Sequence, residues 1–223
     1  MPASSHKTNN HPQETGLHLS IPVVAWLLVF GSVFVWSALD PKDTLTWFLE
    51  VLPAVVALLA MAFTVRSFPL TPLLYWLILL HCVILMIGGH YTYAEVPLPQ
   101  WLDPILGTER NNYDKIGHFA QGFVPALVAR EILLRRQVIP SAAWRNFFIV
   151  SFCLGFSAFY ELIEWWVALA SGEDATAFLG TQGYIWDTQS DMFLALLGAI
   201  TGLLLLNRWH DSQLNQLPGP TRT

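Results

Sequence analysis

The sequence predicts an all-α, polytopic membrane helix bundle of six transmembrane helices, with the N- and C-termini cytoplasmic. Three observations predict it. The chain of 223 residues is 54% hydrophobic and only 12% charged, whereas a soluble domain carries about a quarter charged residues; its mean hydropathy is +0.46. The apolar residues come in blocks long enough to cross a bilayer, which takes roughly 20 residues of helix. Lys and Arg gather in the segments that six spans would place on one side of the membrane.

The elements follow in order. Residues 1–17 are polar and are expected to form a disordered tail. They lack the charged start, apolar core and small-residue cleavage site of a secretory signal, so the first apolar block is expected to stay as a span. The membrane domain is placed at 18–210. Its blocks are Ile21–Leu39, Trp47–Val65, Leu70–Gly89, Tyr113–Leu134, Phe147–Ala170 and Trp186–Leu206. The fourth is the least apolar. It is kept as a span because Asp114, His118, Gln121 and Arg130 can face protein, and because the charge pattern requires it. Residues 211–223 are expected to form a second disordered tail.

Orientation follows from the basic residues near the span ends. Arg130, Arg135, Arg136 and Arg145 surround the fourth loop, which is therefore expected in the cytoplasm. The third loop holds one Arg against Glu95, Asp103 and Glu109, and the fifth holds Glu173 and Asp174 with no basic residue. Lys42 in the first loop is a mild exception. The net charge is −5 and the basic residues are scattered, which excludes a nucleic-acid partner. Cys82 and Cys153 fall inside apolar blocks and read as buried structural thiols. Gly88-Gly89, and Gly198 with Gly202, are expected to allow close helix packing. Gly180 and Gly183 in "LGTQGYIWD" mark a tight turn into the last span. Trp101, Trp165, Trp166, Trp186 and Tyr184 are placed as interfacial anchors.

Few polar residues lie in or at the edges of the spans. Asp114 and His118 begin the fourth, Glu161 and Glu164 lie in the fifth, and Asp187 and Asp191 begin the sixth. Spacings of three and four residues put each pair on one helix face. At 1.5 Å rise per residue, His118 and Asp191 lie about 6 Å below Asp114 and Asp187. Glu161 lies roughly 9 Å below the outer edge of a 30 Å core. Three helices thus place six acidic or imidazole groups in one thin layer near the periplasmic face, joined by His90 and approached by Glu50.

Carboxylates crowded in a low-dielectric layer need protons or cations to neutralise them. Asp, Glu and His on facing helices are the ligands that divalent metals take. Asp114, His118, Glu161, Glu164, Asp187 and Asp191 are the candidate ligands, for Zn, Mn, Fe or Mg. Glu161, Glu164 or His90 would serve as general base on a metal-activated water. Plainer readings stand beside this one. Asp114 and Asp187 suit helix N-termini by capping and dipole. Arg130 or Lys115 could pair with the glutamates. His81 reads as a buried helix–helix hydrogen-bond partner, and His6, His11 and His18 as solvated tail residues.

The stretches "GGHYTYAEVPL", "YDKIGHFAQGFVPALVAREILLRR", "SAFYELIEWW" and "FLGTQGYIWDTQSDMFLALLGA" resemble the YjdF family of bacterial inner-membrane proteins, from about the second span to the sixth. The resemblance implies a multi-pass inner-membrane location and the six-span architecture; it implies no reaction. A weaker likeness is to VanZ-like membrane proteins, through Asp114, Lys115, His118 and Phe119, a later Glu161 or Glu164, and Asp187 with Asp191. The sequence departs from that pattern by the second Glu and by Asp191 where Asn is commoner. The likeness implies work at the cell envelope.

Three functions are compatible with these residues. The first is a divalent-metal-dependent intramembrane hydrolase acting on a lipid or lipid-linked envelope substrate. The second is a proton- or cation-coupled transporter, against which stands the apolar character of the inner halves of the last two spans. The third is a non-catalytic scaffold.

Overall fold

The computed structural model describes residues 21–99, 110–171 and 182–217. Six long helices account for most of them: α1 (Ile21–Ala38), α2 (Thr44–Thr64), α3 (Pro72–Tyr91), α4 (Tyr113–Arg135), α5 (Ala142–Ser171) and α6 (Asp187–Leu214). A short 3-10 turn, Tyr93–Glu95, follows α3. Among the described residues there is no strand. Each sequence block falls on one helix. The helix ends differ from the expected block ends most for α5, which begins at Ala142 rather than Phe147, and for α6, which runs to Leu214 rather than Leu206.

Five of the six helices are long and apolar enough to cross a membrane, by length and composition: all but α4. α4 carries the most polar face and is also the most enclosed. It packs against α3, α5 and α6, and its contact with α6 is the most extensive in the bundle. Its polar residues therefore face protein, which lets a weakly hydrophobic helix sit inside a membrane bundle. Outward faces elsewhere are apolar, with Phe63, Leu204 and Leu205 among the most exposed side chains.

Glycine decides the α4–α6 spacing. A Cβ at Gly122 would collide with the Ala195 carbonyl, and one at Gly198 with the Phe119 carbonyl; at Gly202 it would meet the Phe123 carbonyl at 2.9 Å. The two helices run parallel with backbones in contact, as the G-x-x-x-G spacing predicts. This brings the starts of both helices, and their acids, to the same end.

A second polar cluster fastens the opposite end. Glu131, fully buried, accepts hydrogen bonds from the Thr71 backbone N–H (3.1 Å), Thr71 Oγ1 (2.8 Å), His210 Nε2 (2.9 Å) and Arg135 Nη1 (2.8 Å). Arg130 reaches Asp211 Oδ1 at 2.7 Å and His210 Nδ1 at 3.1 Å. Gln213 Oε1 accepts from the Leu73 N–H at 2.8 Å. These contacts hold α6 helical to Leu214. The stretch expected to start a disordered tail at 211 is thus ordered helix through its first residues, because Asp211 and Gln213 have partners on α4 and α3. Residues 1–20 and 218–223, with His6, His11 and His18, lie outside the described residues. So do Trp101, Asp103, Glu109, Glu173, Asp174 and Gly180.

Cys82 and Cys153 are free and buried, as expected. Trp165, Trp166, Trp186 and Tyr184 are all exposed at the end that holds the acids, consistent with anchoring at an interface.

Candidate functional site

The site is built from the first turns of α4 and α6 and the outer part of α5. Asn111 prepares the entry to α4: its Oδ1 accepts from the Tyr113 N–H (3.0 Å) and its Nδ2 donates to the Val96 carbonyl (2.6 Å). Gln182 clasps the Asn111 backbone at both ends, accepting from its N–H and donating to its carbonyl, each at 2.9 Å. Gln182 and Gly183 both have positive φ (49° and 82°), a turn geometry that favours glycine at the second position. The clasp ties the turn before α6 to the start of α4.

Arg110 stands at that junction. It forms an ion pair with Asp187 and approaches Asp114 Oδ2 at 3.8 Å. Neither acid caps its helix: the N-cap of α4 is Asn112 and that of α6 is Trp186. Their carboxylates turn instead toward Arg110 and the interior.

His118 is at the centre. Its Nε2 lies 3.3 Å from Asp114 Oδ1 and 3.8 Å from Glu161 Oε1, and its Nδ1 lies 3.1 Å from Gln121 Oε1. A carbonyl oxygen at Nδ1 requires that nitrogen to donate, so a neutral ring presents its Nε2 lone pair to the carboxylates. Lone pairs meeting lone pairs call for a proton or a metal cation between them. Two donor sets have ligand atoms within 4.8 Å of one another: Asp114, His118 and Asp191, and His118, Glu161 and Glu164. Ligands about 2.1 Å from an ion lie up to roughly 4.2 Å apart, so each set needs only a small contraction. Glu161 Oε1 and Asp191 Oδ1 are buried with no hydrogen-bond partner among the described residues. Such groups ordinarily find partners.

A cavity of about 50 Å³ adjoins His118, lined also by Glu50, His81, Tyr93, Asp114, Tyr160 and Glu164. Tyr160 donates to Glu50 Oε2 at 3.1 Å. Tyr93 packs into one wall of the cavity: its ring sits so close to Gly88 and Gly117 that a Cβ at either would run into it. Burial pushes the Tyr93 phenol well above its ordinary range, so it stays protonated and can donate.

The six candidate ligands therefore gather at one end of the bundle, with Asp187 held by Arg110 and the other four acids, Asp114, Glu161, Glu164 and Asp191, around His118. Glu50 joins them, as expected. His90 does not. Its Nδ1 is 3.1 Å from the Ser37 carbonyl and its ring packs on Trp36 and Tyr91, because its position on α3 faces α1 rather than α4. Arg130 sits at the far end of α4, and Lys115 makes no ion pair among the described residues, so neither neutralises the glutamates. His81 faces the cavity and makes no hydrogen bond to a neighbouring helix among the described residues. Sequence reasoning gave no site role to Arg110, Gln121, Tyr93 or Tyr160, although it placed Gln121 facing protein. Arg110 carried a signal, as the single basic residue of an acidic loop; Gln121, three residues after His118, carried a helical-spacing signal. Tyr160 and Tyr93 carried none apart from tertiary structure.

The bundle and its buried acids define a multi-pass helical membrane protein. The chain belongs to the family described as Predicted membrane protein (DUF2238), whose model matches residues 22–212. It is 52% identical over 189 residues to the Inner membrane protein YjdF of Escherichia coli (strain K12), covering 85% of this chain and 90% of that protein. No solved structure matches.

Proposed function

We propose that the chain is a divalent-metal-dependent membrane enzyme that hydrolyses a lipid or lipid-linked envelope substrate. The observation that carries this reading is His118, with Nδ1 fixed by Gln121 and Nε2 aimed at Asp114 and Glu161, beside two buried carboxylate oxygens without partners. A metal-ligating His held by a hydrogen bond at its other ring nitrogen is the usual arrangement. Asp114, His118, Asp191, Glu161 and Glu164 supply the ligands. Asp187 and Arg110 orient Asp114. The carboxylate-rich donor set with one imidazole suits Zn, Mn, Fe or Mg.

A bound ion would polarise the substrate's carbonyl or phosphoryl oxygen and lower the pKa of water. The water oxygen bonds to the electrophilic carbon or phosphorus as its proton passes to Glu161 or Glu164. The bond to the leaving oxygen breaks, and that oxygen takes the proton back. Arg135, Arg136 and Arg145 lie at the opposite end, which supports a periplasmic site, cytoplasmic termini and the inner membrane as the location.

The middle of α4 reads GFVPALVA from 122 to 129, about 12 Å of apolar helix between the two polar clusters. It leaves a transporter without a polar path along this helix. Elemental analysis of protein purified in mild detergent tests the proposal. Stoichiometric metal, lost in His118→Ala and Asp191→Asn, supports it. No metal as purified, together with no thermal stabilisation on adding Zn, Mn, Fe or Mg, refutes it.

A further inference from the structure

The acid cluster opens on two sides of opposite character. On the inner side is the cavity of about 50 Å³, where Glu50, Tyr160, Tyr93 and His118 face one another. One water needs about 10–15 Å³ of such space, so it has room for a few. On the outer side is a groove of about 490 Å³ between α5 and α6. Ala158, Leu162, Trp165, Ala168 and Met192 form its walls; Glu161, Glu164, Asp187 and Thr188 form its polar floor. Leu162 and Trp165 are 44% and 54% exposed and lie within a membrane-length helix, so the groove opens toward acyl chains. Glu161 is only 8% exposed; its Oε1 is turned inward, 3.8 Å from His118 Nε2, with no hydrogen-bond partner among the described residues. Glu164 borders both the cavity and the groove.

We infer that the groove is a lateral entry for a phospholipid-type amphiphile, with an acyl chain along the apolar wall and the head group at Glu161 and Thr188, while the cavity supplies water from the other side. A soluble substrate would have to cross the apolar wall, and a membrane helix of roughly 10–12 Å diameter laid over the groove would set apolar side chains against the polar floor of Glu161, Asp187 and Thr188. An amphiphile matches both surfaces at once. Glu164 then stands where lipid and water meet, which makes it the better placed of the two glutamates to move the proton. The roles of water and Glu164 rest on the hydrolase reading above; lipid entry does not.

The test uses the full chain in nanodiscs of phosphatidylethanolamine and phosphatidylglycerol, doped with phospholipids bearing a photoactivatable acyl chain. Adducts are mapped by mass spectrometry, and bound metal is measured on the same samples. Adducts are expected on Leu162, Trp165 and Met192 about tenfold above those on the exposed Phe63 and Leu204, a ratio equivalent to about 1.4 kcal/mol. Ala168→Trp, which fills the groove, should abolish that excess and leave metal content intact. Equal labelling of the groove and of Phe63 and Leu204 in the parent protein overturns the inference without needing a variant to fold. Groove adducts without metal leave lipid entry standing and remove the hydrolase; metal with uniform labelling does the reverse.

Discussion

Replacing Glu131 with Gln changes almost no volume and tests what fastens the bundle away from the candidate site. Glu131 is fully buried and accepts from Thr71, His210 and Arg135 at 2.8–3.1 Å. Glutamine keeps one acceptor oxygen and turns the other into a donor. If the new NH2 faces Arg135, donor meets donor and the guanidinium loses its counter-charge. If it faces His210, the imidazole must change tautomer and give up its bond from Arg130. Breaking one side of a buried charged pair costs about 3–5 kcal/mol. The Arg135 side chain is 19% exposed and water recovers part of this, so the lower figure of about 3 kcal/mol applies. For a chain of this size that lowers Tm by roughly 6–12 °C. The assay is thermal unfolding in detergent micelles with a thiol-reactive fluorophore, since the two cysteines are both buried and free. Metal content should not change, because the cluster is at the other end. A Tm shift below about 2 °C, less than 1 kcal/mol on the same scale, would refute the argument.

Three further outcomes follow from the same geometry. Gln121→Leu should weaken metal binding about 10–100-fold, the usual effect of losing the group that orients a ligand, with little change in Tm; competition with a chelator measures it. Gly198→Val puts methyl groups against the Phe119 carbonyl, so α4 and α6 must part. It should cost at least about 1–3 kcal/mol and also strip the metal, because Asp114 and His118 separate from Asp191. His90→Ala should leave metal content unchanged and cost about 1 kcal/mol for the lost bond to Ser37, read by melting; metal loss there would restore His90 to the site.

Much of the fold could be read from the chain because a bilayer leaves few choices. Backbone polar groups must be satisfied within each span, so a block of about 20 apolar residues is a helix, and all six blocks are. Glycine spacing foretold the α4–α6 contact, because small residues are what allow backbones to meet. The layer of acids was legible too: helical rise turns sequence position into depth, and Asp114, His118, Glu161, Glu164, Asp187 and Asp191 do share one end of the bundle. Depth, however, says nothing of rotation about the helix axis. His90 lies near the right end of α3 yet points at α1, while Glu50 and His81 turn toward His118. Partner choice was equally hidden. Arg130 looked available to the glutamates until the length of α4 separated them, and Asp211 looked like tail until Arg130 held it. The sequence by itself determined a membrane helix bundle with its acids near one face, because hydropathy and helical rise act along the chain. Tertiary structure alone decided that Arg110 clamps Asp187, that Gln121 aims His118, and that a lipid-facing groove meets a small polar cavity at Glu164, because those depend on how helices turn and pack against one another.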